Sequence, residues 1–410
     1  MLRFNALGRR VAAPRAAATF VSRFSTDAPL VRAQIKRLPT LTEVQFKGTR
    51  PVDLHIRASH AENIELAAAV PDAFHVVTHP TEKSLRIMDS VGGETPSPQA
   101  KDSDPVRVEL HLPSQLNLVV SLTDGHVTIH DKLEADVTVG VGRGNITVDK
   151  LRGPFLRLTT NHGTITVTSL VESDYVKLVA HQIDCKRLMA KRADITLSKD
   201  TDARDSSFGA MYTSLATLLS ASTGTLAVGN VHGALDIRSD RHGAIRVGGV
   251  NGALVVEDTG DACKLDVHFD AIQEMDGTAS RLVCGGDAHV SVAPSIPVHV
   301  DLHATAVDTT DVGFESGFER DQLEEDYVVA TGTVVSKATE TPVSLGGAGK
   351  INLEGAKASA MTTSFFSQDD DSDGAASPPS IFVHAVSGKI TFKQLSWMDK
   401  IKQTHRVKGP

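Results

Sequence analysis

The sequence is poor in aromatic side chains, which make up 4% of its 410 residues, with a single tryptophan. Glycine, at 32 residues, is plentiful by comparison. That balance points to small-residue turns and β structure. Cysteine is scarce: Cys185, Cys263 and Cys284 lie far apart and form no CxxC pair. A disulfide framework and a cysteine-rich zinc module are excluded. No stretch approaches the roughly 18 apolar residues of a membrane-spanning helix. Positive charge is not in excess: the formal net charge is −8, which excludes a general electrostatic grip on nucleic acid. Nor is there a GxSxG elbow, a Walker A run or a strand-GxGxxG-helix unit. The hydrophobic fraction of 40% and charged fraction of 22% do allow a packed core and exclude a wholly disordered chain.

Residues 1–26 differ from all that follow. They hold Arg3, Arg9, Arg10, Arg15 and Arg23, no Asp or Glu, and many Ala, Ser and Thr. An Arg-rich, acid-free, Ser-containing leader has the composition of a mitochondrial transit peptide. The arginines interrupt every candidate apolar core of a secretory signal, and Pro14 interrupts the amphipathic helix. Arg23-Phe24-Ser25-Thr26 resembles a matrix-peptidase site, so residues 1–24 are expected to be removed. An acidic mature chain with unpaired cysteines suits a reducing matrix.

A nineteen-residue period begins near Asp124. It appears as Gly125-His126-Val127-Thr128-Ile129, Gly144-Asn145-Ile146-Thr147-Val148 and Gly163-Thr164-Ile165-Thr166-Val167. A second phase appears as Gly224-Thr225-Leu226-Ala227-Val228 and Gly243-Ala244-Ile245-Arg246-Val247. Between the phases, the register needs about four extra residues, placed at the polar run Lys199-Asp200-Thr201-Asp202. Each period holds two alternating strand signals bounded by Gly, Asn or Asp. Repeated short strands without intervening helices imply stacked coils, because one coil cannot bury its apolar residues alone. The fold expected is all-β: a β-solenoid, right-handed and β-helix-like, with coils of about 19 residues stacked about 4.8 Å apart. Ser206–Leu235 has no charged residue, and Ala210–Ser222 also fits a helical face. The register of Asp205 with Gly224 assigns it to a coil.

The ends read as β-rich caps. Residues 41–122 form an N-terminal cap with longer strand patterns, such as Val106-Arg107-Val108-Glu109-Leu110-His111-Leu112. Its Gly92–Pro105 segment is a Gly/Pro/Ser-rich loop. Residues 123–310 form the coils. Residues 311–366 read as an irregular extension and 367–380 as a disordered acidic loop. Residues 381–397 return to strand, with Gly388-Lys389-Ile390-Thr391-Phe392 repeating the turn-glycine pattern.

Val106–Ile129, with its Leu112-Pro113 pair, apolar strand and Asp124-Gly125-His126-Val127-Thr128-Ile129, resembles the bacterial adhesin-like domain. Asn161-His162-Gly163-Thr164-Ile165-Thr166-Val167 and Gly243-Ala244-Ile245-Arg246-Val247 support the resemblance. It covers roughly residues 40–310 and part of the C-terminus. It implies a β-solenoid in a eukaryotic, mitochondrial-type homologue. It implies no catalytic residues.

Chemistry-bearing residues were weighed by strand alternation. His299, Asp301 and His303 share a strand face, as do Asp266, His268 and Asp270. Such faces bind zinc if their ligands converge, but side chains two apart on one strand diverge by about 6.6 Å. The alternative is a solvated face. His162, His181 and His242 occupy one phase of the repeat and would stack as a titrating ladder or simply occupy turns. Asp236, Glu257 and Asp258 are candidate carboxylates for glycan cleavage or simple surface solvation. Gly140-Val141-Gly142-Arg143-Gly144 has the glycines of a phosphate loop without the following helix. The cysteines read as buried small hydrophobes.

These readings name no catalytic, cofactor-binding or metal residue. They point to a non-catalytic binding or assembly scaffold with a protein or glycan partner. The alternative is a carbohydrate-active or metal-dependent enzyme on the same coils. Processing is directly testable: removal of residues 1–24 takes away five arginines and shifts the net charge from −8 to −13. N-terminal sequencing of protein from purified mitochondria should begin near Ser25; an intact Met1 would refute the transit peptide.

Overall fold

A computed structural model describes residues 30–35, 41–69, 74–79, 83–89, 105–199, 202–273, 279–315, 317–337, 378–396 and 399. The leader at 1–24, most of the Gly92–Pro105 loop, residues 338–366 and most of the acidic segment 367–380 lie outside the described residues.

Among the described residues, the named elements are all strands. The N-terminal group is β1 (Val31–Ile35), β2 (Glu43–Ser59), β3 (Ile64–Ala68), β4 (Phe74–His79), β5 (Ser84–Asp89) and β6 (Val106–Pro113). The central group is β7 (Asn117–Glu134), β8 (Val137–Arg143), β9 (Ile146–His162), β10 (Thr164–Ala180), β11 (Gln182–Leu197), β12 (Ser206–Ser220), β13 (Thr225–Ser239) and β14 (Ala244–Asp258). Then come β15 (Lys264–Ile272), β16 (Ser280–Cys284), β17 (Ala288–Val292), β18 (Val298–Ala304), β19 (Ala306–Asp308), β20 (Glu319–Glu324) and β21 (Tyr327–Val334). The last two are β22 (Ser380–Ala385) and β23 (Lys389–Gln394).

Successive central strands pair in parallel, one coil over the next. Val127 lies beside Ile146, Ile146 beside Ile165, and Thr225 beside Ala244. Each step is the nineteen residues seen in the sequence. The Lys199–Asp202 insertion falls between β11 and β12, where the offset grows to twenty-three, as at Asp184 and Ser207. Ser206–Ser220 is strand, so tertiary pairing overrides its helical spacing.

Register turns alternation into columns. One inward column runs Leu110, Ile56, Ile129, Val148, Val167, Cys185, Phe208, Val228, Val247, Val267, Val290 and Phe392. Every member is buried. Each side chain in it gains about 1.5–3 kcal/mol from burial, but only because its neighbours above and below supply the other walls.

A second inward column is polar at a corner of the coil. Ser220, Ser239 and Asp258 lie in register. Each accepts a hydrogen bond from the backbone N–H two residues on: Ser222 to Ser220 Oγ at 3.2 Å, Arg241 to Ser239 Oγ at 3.3 Å and Gly260 to Asp258 Oδ1 at 2.8 Å. Short polar side chains thus satisfy the donors that a turning chain would leave unpaired.

Both ends are closed by the same topological device. β2 lies between β6 and β7, pairing in parallel with each, although β6 and β7 are consecutive in the chain. At the other end β22 lies between β16 and β18, and β23 between β17 and β19. The outer edges then switch to antiparallel partners. β3 covers β6 and β1 covers β3. β21 covers β18 and β20 covers β21. β20 is exposed along its whole length and carries Glu319, Arg320, Asp321 and Glu324, charges that discourage further strand addition. β20 and β21 fall inside 311–366, expected to be irregular. They form because Val328, Ala330 and Val334 alternate inward against β18.

The repeat glycines have two distinct causes. Gly144 has φ +134°, in the left-handed region. Gly163 does not share it; a Cβ there would lie 1.9 Å from the Gly144 carbonyl oxygen. Close stacking of one turn on the next is what requires glycine at 163. At Gly243 the nearest atom to such a Cβ, the Thr223 oxygen, is 3.4 Å away. Gly163→Ala should therefore cost about 2 kcal/mol or more, and Gly243→Ala about 0.5 kcal/mol or less. Equal melting shifts in the two variants would show that turn stacking does not set the glycine requirement.

Candidate functional site

The C-terminal closure brings together residues that the chain keeps far apart. Arg281 on β16 is in register with Phe382 on β22, and Phe382 with Asp301 on β18. One step along, His384 lies beside His303, and antiparallel β21 brings Tyr327 to the same face. All these side chains point outward, because the alternate residues Ile381, Val383, Val300 and Leu302 fill the core.

His303 is the hub. Its Nε2 lies 2.8 Å from Asp301 Oδ1 and its Nδ1 2.8 Å from the Tyr327 hydroxyl. A carboxylate only accepts, so Nε2 carries the proton and Nδ1 accepts from the Tyr327 O–H. Its ring sits 5.2 Å from Phe382 and 6.0 Å from His384, centroid to centroid. Arg281 stacks over the far side, 5.6 Å from the Phe382 centroid, and pairs with Glu257 at 3.8 Å. Burial, then the neighbouring His303 and Arg281, hold His384 below the usual histidine range. The result is an open platform of rings with one carboxylate and one guanidinium at its borders.

Of the trio His299, Asp301 and His303, the last two meet. His299 bonds instead to Thr333 Oγ1 at 3.3 Å. Of Asp266, His268 and Asp270, the last two meet: His268 Nε2 lies 3.2 Å from Asp270 Oδ1 and its Nδ1 2.9 Å from Ser291 Oγ, but His268 is wholly buried while Asp266 is exposed. His162 and His181 do stack edge-on at 5.2 Å. His242 leaves that row: it is buried, with Nδ1 2.8 Å from the Gly224 oxygen.

The candidate carboxylates separate as well. Asp258 is the buried corner cap, Asp236 pairs with Arg238 at 3.0 Å, and Glu257 faces Arg281. Gly140 and Gly142 lie within strand β8. Burial pushes the Cys185 and Cys284 thiols up to about 12 and raises Cys263 as well, which leaves them unreactive as nucleophiles. Among the described residues, no group of three or more His, Cys, Asp or Glu is arranged to hold a metal ion. No helix among them is long and apolar enough to cross a membrane.

Tyr327, Phe382 and His384 escaped sequence reasoning because Tyr327 meets His303 through antiparallel β21, and Phe382 and His384 through intercalation of β22. The repeat of the turn-glycine pattern at Gly388 was the one signal that this segment is a coil.

No family model matches the sequence, and no curated protein is a significant match to it. Solved structures are similar to it. A putative adhesin from Bacteroides fragilis, 12% identical with a TM-score of 0.29, covers 59% of this chain and 92% of its own. A putative adhesin from Parabacteroides distasonis, 9% identical with a TM-score of 0.37, covers 65% and 91%. A putative cell adhesion protein from Clostridium sporogenes, 10% identical with a TM-score of 0.19, covers 89% and 100%. The adhesin-like resemblance seen in the sequence thus recurs among the structural neighbours. The solenoid itself rests on the strand register above.

Burial is the first cause that depresses His130, His242 and His384. Each binds its proton more readily unfolded than folded. Their contribution is therefore present above the unfolded histidine value and is lost as pH falls through the lowered folded values. The melting temperature should drop between about pH 7 and pH 5, and His242→Asn should flatten that drop. A pH-independent melt over this range would contradict the assignment.

Proposed function

We propose that the mature chain is a non-catalytic binding or assembly scaffold of the mitochondrial matrix, engaging a protein or glycan partner through the C-terminal platform. The observation that carries this reading is the platform itself: Arg281, Asp301, His303, Tyr327, Phe382 and His384, drawn from four strands onto one open face. Tyr and Arg dominate binding hot spots because they combine apolar area with polar edges. Hydrogen-bonded β-strands, parallel at β16, β22 and β18 and antiparallel at β21, hold these groups in fixed rows, so little ordering cost remains when a partner docks. The matrix location rests on the leader composition and the unpaired, buried thiols.

One arrangement favours the alternative of an enzyme. The Asp301–His303–Tyr327 chain has the order of an orienting carboxylate, a base and a hydroxyl. It lies on an open sheet face, whereas catalysis requires groups converging on an enclosed reacting atom.

The two readings separate experimentally. Proximity labelling from the mature protein inside mitochondria should enrich a defined partner set that Phe382→Ala and Tyr327→Ala deplete. Unchanged labelling in both variants would refute the platform as the contact. Glycan cleavage by the purified chain, abolished by Asp301→Asn, would establish the enzyme instead.

A further inference from the structure

The two ends of the solenoid core finish differently. At the C-terminal end, Val312, Phe314 and Phe318 pack against the last core residues, and the Phe314 and Phe318 rings stack with centroids 4.1 Å apart. The outermost strand there, β20, pairs Arg320 with buried Ala330 and Gln322 with buried Val328. Polar side chains therefore occupy its core-side positions, which ends the apolar column and guards the edge.

At the N-terminal end the outermost strand is β1. Its Val31, Ala33 and Ile35 pair with Ala68, Leu66 and Ile64 of β3, all buried. Leu66 and Ala68 pair in turn with buried Leu110 and Val108 of β6. Register thus assigns Val31, Ala33 and Ile35 to the core side. Yet Val31 is 52% exposed and Ala33 is exposed too, while Ile35 packs against the core. β4, carried by β5 on the first half of β2, repeats the pattern: Val76 pairs with buried Ile87 and is 39% exposed. Among the described residues, β1 pairs with β3 and β4 with β5, and the other edge of each strand is open. Arg32 is the one Lys, Arg, Asp or Glu that the two strands carry. Here the apolar column runs on to the edge and stays uncovered.

We propose that this end is a homodimer interface, in which β1 pairs antiparallel with β1 of a second copy about a two-fold axis through Ala33. Three observations favour a second copy. First, the strand is self-complementary. Centred on Ala33, the pairing sets Val31 opposite Ile35 and Arg32 opposite Gln34, so apolar meets apolar and the two cations are not opposed. Second, charge is complementary across the seam. On the outer face Gln34 lies beside Glu65 and donates to it, Nε2 to Oε1 at 3.0 Å. Arg32 of the second copy enters that same row and brings a cation toward the carboxylate. Third, the pairing extends the sheet and the core together. The core-side residues of one β1 lie beside those of the other, and Val31 and Ala33 leave water. A head-to-tail fibre would instead require β20 to accept a strand, which its charges oppose. The dimer sets the two C-terminal platforms at opposite ends of one continuous body, so that it engages two partners at once.

The test is sedimentation equilibrium of the purified full-length chain, which should give twice the chain mass. Ala33→Asp sets two carboxylates against each other on the axis and should raise the dimer dissociation constant about tenfold or more. Arg32→Glu should weaken the dimer, and Arg32→Glu/Glu65→Arg should restore it. Phe382→Ala, at the far platform, should leave the mass unchanged. Oxidation with copper phenanthroline should link Ala33→Cys into a disulfide dimer and should not link Val31→Cys, whose partner residue is Ile35. If Ala33→Asp loses its far-ultraviolet strand signal, the two cysteine variants still decide. The proposal fails if the chain sediments as a monomer, if Ala33→Cys links no faster than Val31→Cys, or if a folded Ala33→Asp variant keeps the dimer. A mass that climbs steadily with concentration would mean a fibre and would overturn it equally.

Discussion

The parallel register between successive coils is the constraint on which the rest of the molecule depends. Backbone hydrogen bonds fix which residue lies over which, and alternation then sends every second side chain inward. Because the register repeats, an inward position in one coil is inward in the next. The long apolar column through Val148, Phe208 and Val290 and the polar corner through Ser220, Ser239 and Asp258 are two outcomes of the same rule. A one-residue slip would place each column on the opposite face. The outward rows inherit the same discipline, and this is why ring stacks such as Tyr212 on His232, with centroids 4.6 Å apart, recur along the surface.

Much of this architecture was legible in the sequence because its cause is local. Gly144 marks a left-handed turn, and Val and Ile alternation marks the strands. The period stayed readable wherever coils match in length. It blurred between β10 and β11, where the offset shrinks from eighteen residues at Thr164 and Gln182 to seventeen at Val171 and Leu188. A bulge absorbs the difference, and no residue type announces it. His268 was hidden too: alternation assigns it to solvent, yet it is wholly buried against Ser291 of β17. Asp258 was hidden differently. It neighbours Glu257, and two adjacent acids on a strand face opposite ways, so composition alone cannot say which one is the corner cap.

The platform was less legible than the coils because its cause is long-range. His303 and Asp301 lie on one strand and could be paired from the sequence. Tyr327 and His384 reach them through β21 and β22, across connections whose residues carry no signal of their destination. At the N-terminal end the equivalent statement holds for His55 and His130, which are 75 residues apart and meet at 2.9 Å. In both cases a terminal segment of the chain is inserted between coils, and the insertion creates a juxtaposition that periodicity does not encode.

That insertion also orders events in time. A simple solenoid can grow coil by coil, each new one completing the last. Here β18 and β21 are synthesised before β22, yet in the finished molecule they lie outside it. The hydrogen bonds between β16 and β22, linking Ser280 with Ile381 and Cys284 with Ala385, span about a hundred residues of sequence, a separation that slows folding by loop-closure entropy. The last coil to emerge is therefore an interior one. A nascent chain stopped short of residue 380 would present two open sheet edges facing each other, at β16 and β18, with the keystone between them still unmade.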